Sequence, residues 1–458
     1  MRGDGARAKQ RDPLARRLWT YAILITLLGI AARAAWYINF KEDFFFRLGP
    51  DGSTYLTQAE SYLAGAITDP DASVLSSIYR EVFPPGYPLF LAGILKLFPA
   101  ADVLGQREYV LATVRVVQWA LAGATTLMTF ALARRVLFGY SALIPPLIVT
   151  ASIAMTDFPN LFAYETLLAF LLTGSLLLLV KAKEDQSGRN TQVFILLAGL
   201  AFSYGVIVQP RILIALPFIV IWSARAFNRR SALLLLIAGL LLPAGWVARN
   251  YAVFHEFVPI SINGQASVYL DNVDPVGGDG FTPRAAPLEC PRSELMSPEL
   301  SRHFEWARCM QAAGFNEIIE HPGANARAIP DRLAALISPW NATQARGAYN
   351  SGVWDYHDVV PAKTREGPTF KAIDETALIV WLAIYSILII AGVATLWVEG
   401  PASIARLIAI PLLTLPVVHL IFHAENRFRV PLLPIIAIAS TLGLLNIAEL
   451  LASRRRST

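Results

Sequence analysis

Residues 231–250 read SALLLLIAGLLLPAGWVARN, a run whose one charged residue, Arg249, lies next to its end. About 20 mainly apolar residues are enough to cross the hydrocarbon core of a bilayer as a helix. Similar stretches lie at 18–38, 109–132, 376–397 and 430–451. The sequence therefore predicts a chain that crosses a membrane several times.

The overall composition agrees with this prediction. Of the 458 residues, 55% are hydrophobic and only 16% are charged, whereas soluble domains have about 45–50% and about 25%. Such a composition excludes a disordered chain, a collagen-like chain and an ordinary soluble enzyme. The apolar residues belong to membrane spans rather than to several soluble cores.

Two longer apolar runs each predict a pair of spans. Residues 140–181 carry a polar break at 156–160 and divide into helices at 140–155 and 162–180. Residues 191–227 divide at Gln209-Pro210-Arg211, because proline disfavours helix at the preceding residue. With a last run at 404–422, we predict an all-α polytopic membrane protein of about ten transmembrane helices. Barrel strands would instead alternate polar and apolar residues.

Lysine and arginine are concentrated at both termini and in one set of short loops, which indicates the cytoplasmic side. The basic arm 1–17 and the tail 452–458 are therefore predicted to be cytoplasmic, in what we expect to be a bacterial inner membrane. Two large extracytoplasmic loops follow, at 39–108 and 251–375. Spans 2–7 then occupy 109–250, and spans 8–10 occupy 376–451. The net charge of +5 follows from this topology and indicates no nucleic-acid partner.

The first apolar segment lacks a small-residue cleavage pattern, so we expect a retained anchor rather than a removable signal peptide. Both cysteines, Cys290 and Cys309, lie in the second large loop. Disulfides persist in extracytoplasmic compartments, which predicts a bond between them. Two free thiols are the alternative, because pairing also requires compatible geometry.

Several ionisable residues are predicted to lie at the outer ends of the spans. They are Arg33, Arg115, Glu165, Arg211, Arg249, Arg427 and Arg429. Arginine near a membrane surface often extends only to the lipid headgroups. Yet Arg211 and Arg427 lie in short outer connections, where the positive-inside rule should deplete them. An anionic ligand would explain them, and the planar guanidinium matches phosphate oxygens, so we predict a lipid phosphate.

The first outer loop predicts two short helices at the membrane surface. Asp51 precedes a stretch in which Tyr55, Ala59, Tyr62 and Leu63 share one helical face. A second apolar segment at 84–98 is too short to span. Asp51 has two interpretations, a carboxylate that acts in a site or the N-cap of the first helix.

Several short motifs together resemble a known family. Asp51-x-x-x-Tyr55-x-x-x-Ala59 and Pro84-Pro85-Gly86-Tyr87-Pro88 are similar to segments of GT-C glycosyltransferases of the protein O-mannosyltransferase and lipid A aminoarabinose transferase type (glycosyltransferase family 39-like). The further matches, in the same order, are Tyr164-Glu165-Thr166-Leu167, Gln209-Pro210-Arg211, Arg249-Asn250-Tyr251-x-x-Phe254 and 426–434. The resemblance covers about residues 15–270 and 400–450. It departs at Asp51-Gly52, where the family has an acidic pair, and at 275–375, which matches nothing.

This resemblance implies a membrane glycosyltransferase that moves a sugar from a polyprenyl-phosphate donor to an extracytoplasmic hydroxyl or amine, with inversion. The acceptor is a lipid, a glycan or a protein. Asp51 would be the catalytic base and Glu165 a second acid that orients a substrate. The resemblance also implies phosphate ligands at Arg80, Arg211 and Arg427. Tyr55 and Tyr87 are candidate substrate contacts, with aromatic residues of the membrane interface as the alternative.

The chemistry supports this interpretation independently. A phosphate leaving group departs without a protein acid, so one carboxylate and a few cations meet the need. Glu165 has a simpler alternative, an ion pair with a neighbouring arginine. The sequence requires no cofactor, and its histidines show no metal-ligand spacing, but the missing second acid leaves a divalent metal open.

A multi-pass transporter or lipid flippase is the rival interpretation, and a non-catalytic scaffold is a third. Transporters show internal repeats, interrupted helices and polar residues near the middle of the bilayer. The sequence shows no repeat, and its ionisable residues lie at one face beside two large loops. We therefore expect an enzyme.

Overall fold

The computed structural model describes residues 13–40, 51–69, 83–98, 106–152, 154–185, 188–272, 289–290, 300–337, 375–398, 400, 403–422 and 426–457. All regular elements in this part of the chain are helical, as predicted. In chain order the α-helices are α1 (Pro13–Phe40), α2 (Gly52–Leu63), α3 (Gly86–Leu97), α4 (Gln106–Ala133), α5 (Ile144–Ala151), α6 (Ala154–Asp157), α7 (Glu165–Glu184), α8 (Thr191–Val208), α9 (Leu216–Ala226), α10 (Arg229–Phe254), α11 (Asn263–Leu270), α12 (Leu300–Glu320), α13 (Pro322–Ile337), α14 (Glu375–Val398), α15 (Ile404–Thr414) and α16 (Leu433–Ser457). Short 3-10 helices lie at Gly139–Leu143, Phe158–Asn160, Pro210–Ala215, Leu415–Leu420 and Asn426–Leu432.

The chain is an integral membrane protein. Within the described ranges, 7 helices are long and apolar enough to cross a bilayer: α1, α4, α7, α8, α10, α14 and the helical run that ends in α16. An eighth is added if the pair Gly139–Ala151 and Ala154–Asn160, bent by 66°, forms one span.

The other two spans predicted from the sequence are shorter helices. The run at 211–227 folds as the 3-10 helix Pro210–Ala215 followed by α9, and the run at 404–422 folds as α15 followed by Leu415–Leu420. Proline stands near the start of each of these 3-10 helices. Because proline lacks the backbone donor, the turn around it departs from regular α-helix. The bundle is otherwise the predicted all-α membrane fold.

The spans pack as a chain of neighbours. α10 packs along α8, α8 along α7, α7 against α4, and α4 against α1, while α14 pairs with α16. α7 and the run containing α16 are the most enclosed, and α1 and α14 the least. Large apolar side chains such as Leu28 and Ile390 are exposed on the two outer helices. These two helices therefore present the broadest surface to lipid.

The polar break between the third and fourth spans is accommodated by hydrogen bonds in the interior. Asn160 is buried, and its amide donates to the carbonyls of Thr156 and Arg33. The indole of Trp119 donates to its side-chain oxygen, 2.8 Å away. Irregular backbone at membrane depth is tolerated where protein groups satisfy it in this way. The predicted division of 140–181 thus has a physical basis.

Residues of the predicted second outer loop, called the second outer segment below, form a small helical unit. α11 packs against α12, which is followed by α13. A disulfide joins Cys290 to Cys309 of α12, with the two Cα atoms 5.7 Å apart. Cys290 is fully buried beside Ala266 and Met310. The unit thus combines a cross-link with a small apolar core.

Residues of the predicted first outer loop, called the first outer segment below, supply α2 and α3, which pack against each other. On α2, Tyr55, Ala59 and Tyr62 are buried, as their spacing predicts. Leu63 was placed on the same face and is instead 47% exposed. Adjacent helical residues are about 100° apart, so Leu63 turns away from the face that ends at Tyr62.

A close backbone contact fixes α3 against α8. A Cβ added at Gly86 would lie 2.5 Å from the backbone nitrogen of Val208. The hydroxyl of Tyr204 also donates to the Gly86 carbonyl, over 2.9 Å. Only glycine allows this approach. The contact sets the position of Tyr87, which follows Gly86.

We predict that Gly86→Ala destabilises the protein by about 1–3 kcal/mol, because the new methyl group overlaps the α8 backbone. Thermal unfolding of the detergent-solubilised protein measures the effect. The matched control is Gly93→Ala on the same helix, where an added Cβ has no neighbour within 4 Å. Equal melting temperatures for the two variants would contradict the close packing described here.

Candidate active site

Asp51 and Arg427 meet at one end of the helical bundle, although 376 residues separate them in the chain. Asp51 occupies the N-cap position of α2, but its side chain makes no capping hydrogen bond. Its Oδ2 atom instead accepts a hydrogen bond from Nη1 of Arg427 over 2.9 Å. Asp51 therefore stands at the N-cap position of α2, but its carboxylate does not cap the helix and binds Arg427 instead.

Arg427 also lies beside a second carboxylate. Glu165 is the first residue of α7 and is fully buried. Its Oε1 atom is 3.9 Å from Nε of Arg427. One guanidinium therefore serves two carboxylates, and the ion pair expected for Glu165 is present. The side chains of Arg427 and Asp51 are 18% and 23% exposed, so a ligand can reach them from outside.

A second guanidinium lies close to the first. The guanidinium carbon of Arg211 is 4.5 Å from the centre of the Phe428 ring, and that of Arg427 is 5.3 Å from the same ring. Phe422 also lies beside Arg211, at 5.3 Å. A guanidinium over an aromatic face is attracted by the ring quadrupole. Phe428 thus holds two permanent positive charges at the same end of the bundle as Asp51.

Tyr55 and Tyr87 lie beneath this cluster in a layer of aromatic rings. The two ring centres are 5.2 Å apart with near-perpendicular planes, and Phe83 packs on Tyr55 at 4.9 Å. The Tyr87 hydroxyl donates to Gln118 over 2.9 Å. Both tyrosines are buried, so the contacts favour a supporting role, and direct contact with a substrate stays a prediction.

Burial also fixes the protonation state of the aromatic layer. It raises the pKa of Tyr55 well above its usual value, and the neighbouring Asp51 carboxylate raises it further. Burial likewise raises the pKa of Tyr87. Both phenols therefore stay neutral and add no charge to the cluster.

Tyr164 and Gln209 were part of the sequence motifs but had no predicted role. The side-chain amide of Gln209 donates to the Tyr164 hydroxyl over 2.7 Å. Tyr164 precedes Glu165, and Gln209 lies two residues before Arg211, so this bond joins the two segments that carry a carboxylate and a guanidinium. The only feature of the sequence that could have pointed to a role for Tyr164 and Gln209 at the site was their place in the same motifs as Glu165 and Arg211.

Three other arginines predicted at outer ends contribute to the framework. Arg249 donates to the carbonyls of Ala66 and Ile67 after α2. Arg115 donates to the Asn160 carbonyl, and Arg33 to that of Met155. These contacts hold backbone segments around the cluster.

The structure thus brings together Asp51, Glu165, Arg211 and Arg427 and places Tyr55 and Tyr87 below them. Arg80 lies outside the described residues. No group of three or more His, Cys, Asp or Glu residues suited to a metal is found among the described side chains. The arrangement offers a carboxylate that can accept a proton and two guanidinium groups that can bind a phosphate.

No family model matches the sequence, and no curated protein matches it. Among solved structures, the chain is similar to the oligosaccharyltransferase of Archaeoglobus fulgidus in its apo form, with a TM-score of 0.47 and 13% identity. That match covers 95% of this chain and 51% of the other. The same archaeal protein, AglB, in complex with an inhibitory peptide and a dolichol-phosphate has a TM-score of 0.48 and 12% identity.

ArnT from Cupriavidus metallidurans, bound to undecaprenyl phosphate, is also similar, with a TM-score of 0.41, 12% identity and coverage of 93% of this chain and 78% of the other. The chain spans about half the length of the archaeal protein. Likeness of this degree says nothing about chemistry, which depends on the residues of the cluster.

Proposed function

We propose that the protein is a membrane glycosyltransferase that moves a sugar from a polyprenyl-phosphate donor to a hydroxyl or amine outside the cytoplasm. The observation that carries this proposal is the meeting of Asp51, Glu165 and Arg427, with Arg211 beside the same Phe428 ring as Arg427. Such a reaction needs a base for the acceptor and cations for the leaving phosphate. The cluster offers both.

The reaction proceeds by displacement at the anomeric carbon. The acceptor oxygen or nitrogen forms a bond to that carbon, and the bond from the carbon to the phosphate oxygen breaks. The electron pair of the broken bond stays on the polyprenyl phosphate, and the acceptor proton passes to Asp51. Attack opposite the leaving group inverts the anomeric centre.

Arg427 also controls the availability of Asp51 during the reaction, because the two side chains are paired in the absence of substrate. A donor phosphate attracts the guanidinium, and an arginine that exchanges one anionic oxygen for another keeps a charge-assisted hydrogen bond throughout. Once Arg427 binds phosphate, the Asp51 carboxylate is available to the acceptor. Glu165, buried beside Nε, keeps Arg427 at the site during the exchange.

The loop charges support a site on the extracytoplasmic face of a bacterial inner membrane, with both termini in the cytoplasm. The second outer segment is the part of the chain best placed to meet a lipid, glycan or protein acceptor. Arg80, in the first outer segment, is proposed as a further phosphate ligand.

We predict that Asp51→Asn lowers sugar transfer by about 100-fold or more, because the amide cannot accept the acceptor proton. Purified protein in nanodiscs is supplied with labelled sugars on a panel of polyprenyl phosphates, and product formation is measured. Asp69→Asn, an exposed carboxylate shortly after the same helix, should retain full activity.

Two results would count against this proposal. If Asp51→Asn transfers sugar as fast as the wild type, Asp51 is not the base. If the wild type transfers no sugar from any donor but moves lipid across vesicles, the flippase interpretation replaces the enzyme.

We further predict that Arg211→Gln weakens the binding of polyprenyl phosphate by about 10-fold or more, since a charged hydrogen bond is worth about 1.5–3 kcal/mol. Binding is measured with the lipid phosphate alone, without a sugar. Arg225→Gln is the control, because Arg225 is exposed in the last turn of α9, at the far end of the segment that begins with Arg211. Equal losses in the two variants would argue against a phosphate site at Arg211.

A further inference from the structure

Arg332 of α13 is a buried arginine that donates hydrogen bonds to two other segments of the chain. Arg332 is only 6% exposed. Nη2 donates to the carbonyl of Asp271, 2.6 Å away, and to the side-chain oxygen of Asn272, 3.2 Å away. Nη1 donates to the carbonyl of Leu420 over 3.0 Å. Arg332 therefore ties the second outer segment to the end of the 3-10 helix Leu415–Leu420.

Asn272 makes a parallel connection. Its side-chain amide donates to the carbonyl of Ile421 over 3.0 Å and to that of Val268 over 2.7 Å. Two neighbouring carbonyls, at 420 and 421, are thus held by two side chains of the outer segment. α13 also packs on both the 3-10 helix Leu415–Leu420 and the following one, Asn426–Leu432. The attachment involves side chains, backbone and helix packing together.

The backbone that Arg332 holds carries two rings, His419 and Phe422, that lie in the cluster around Arg211 and Arg427. His419 stacks on Phe428, with ring centres 5.5 Å apart and planes 18° apart. Phe422 lies 5.3 Å from the Arg211 guanidinium. Phe428 is in turn the ring beside which both Arg211 and Arg427 lie. A path of direct contacts therefore runs from Arg332 through residues 419–422 to the two guanidinium groups.

We propose that Arg332 is a positioning residue through which the second outer segment sets the phosphate-binding geometry of Arg211 and Arg427. This inference rests on the proposed function, because it assumes that the two arginines bind the donor phosphate. Arg332 itself contacts no substrate. The ligand class whose affinity it controls is a lipid-linked phosphate.

The charge and hydrogen bonds of Arg332 fit a residue that links separate segments rather than one that only fills space. Burial lowers its pKa, and only the nearby Asp271 charge opposes that effect. Its three hydrogen bonds described above go to carbonyl and amide oxygens rather than to a carboxylate. A guanidinium fork can bridge carbonyls of separate segments, which an apolar side chain cannot.

The test compares the binding of a polyprenyl phosphate and of the matching polyprenol, which lacks the phosphate, to wild type and Arg332→Met in nanodiscs. We expect Arg332→Met to bind the phosphate about 10-fold more weakly and the polyprenol equally well. Arg332→Lys should recover part of the affinity, since an ammonium can donate to one of the carbonyls. A general loss of structure would weaken both lipids and would not be rescued by lysine.

Arg308→Met is the matched control. Arg308 lies in the same outer unit and pairs with Glu256 at 2.7 Å, with both side chains exposed by a third or more. It should bind both lipids as the wild type does. Should Arg332→Met fail to fold, Asn272→Ala provides the second variant. It removes the bonds from Asn272 to the Ile421 and Val268 carbonyls and the bond from Arg332 to the Asn272 side-chain oxygen, while the Arg332 bonds to the Asp271 and Leu420 carbonyls remain.

Three outcomes would overturn the inference. In the first, folded Arg332→Met binds the polyprenyl phosphate with wild-type affinity. In the second, both lipids weaken equally. In the third, the wild type binds no polyprenyl phosphate at all, which would also remove the proposed function, whereas the first two leave that function intact.

Discussion

The site depends on one guanidinium group, that of Arg427. A fully buried carboxylate such as Glu165 costs free energy unless a cation lies nearby, and Arg427 is within 3.9 Å of it. The same guanidinium binds Asp51, which lies at the start of α2. The contact brings the first outer segment, the start of α7 and the segment before α16 into one place. The aromatic layer below and the framework arginines around it then hold these three segments in position.

Much of this arrangement was visible in the sequence. Long apolar runs predicted the spans, and the loop charges and motifs placed Asp51, Glu165, Arg211 and Arg427 at one end of them. The particular arginine that pairs with each carboxylate could not be predicted, because pairing between positions 376 apart depends on how the spans pack and not on local pattern. Hydropathy also could not predict the length of the α-helices in the runs at 211–227 and 404–422. It reports only that these runs are apolar, whereas proline shortens the α-helix in each.

The contacts that escaped prediction share a physical feature. Arg332, Arg249 and Arg115 donate to backbone carbonyls, which every residue carries and which therefore leave no mark in the sequence. Ion pairs, in contrast, join side chains of opposite charge and can be anticipated when both lie at one end of a bundle. Leu63 shows the remaining source of error, since a helical face was assigned too broadly by one residue.

The distance along the chain between Asp51 and Arg427 also has a consequence for biosynthesis. At about 5–20 residues per second, synthesis of the 376 residues that follow Asp51, up to and including Arg427, takes roughly 20–75 s. Until the segment before α16 has left the ribosome, Asp51 and Glu165 lack the guanidinium that joins them. A nascent chain therefore carries these two carboxylates without their shared cationic partner, and the cluster assembles only as the segment before α16 is synthesised.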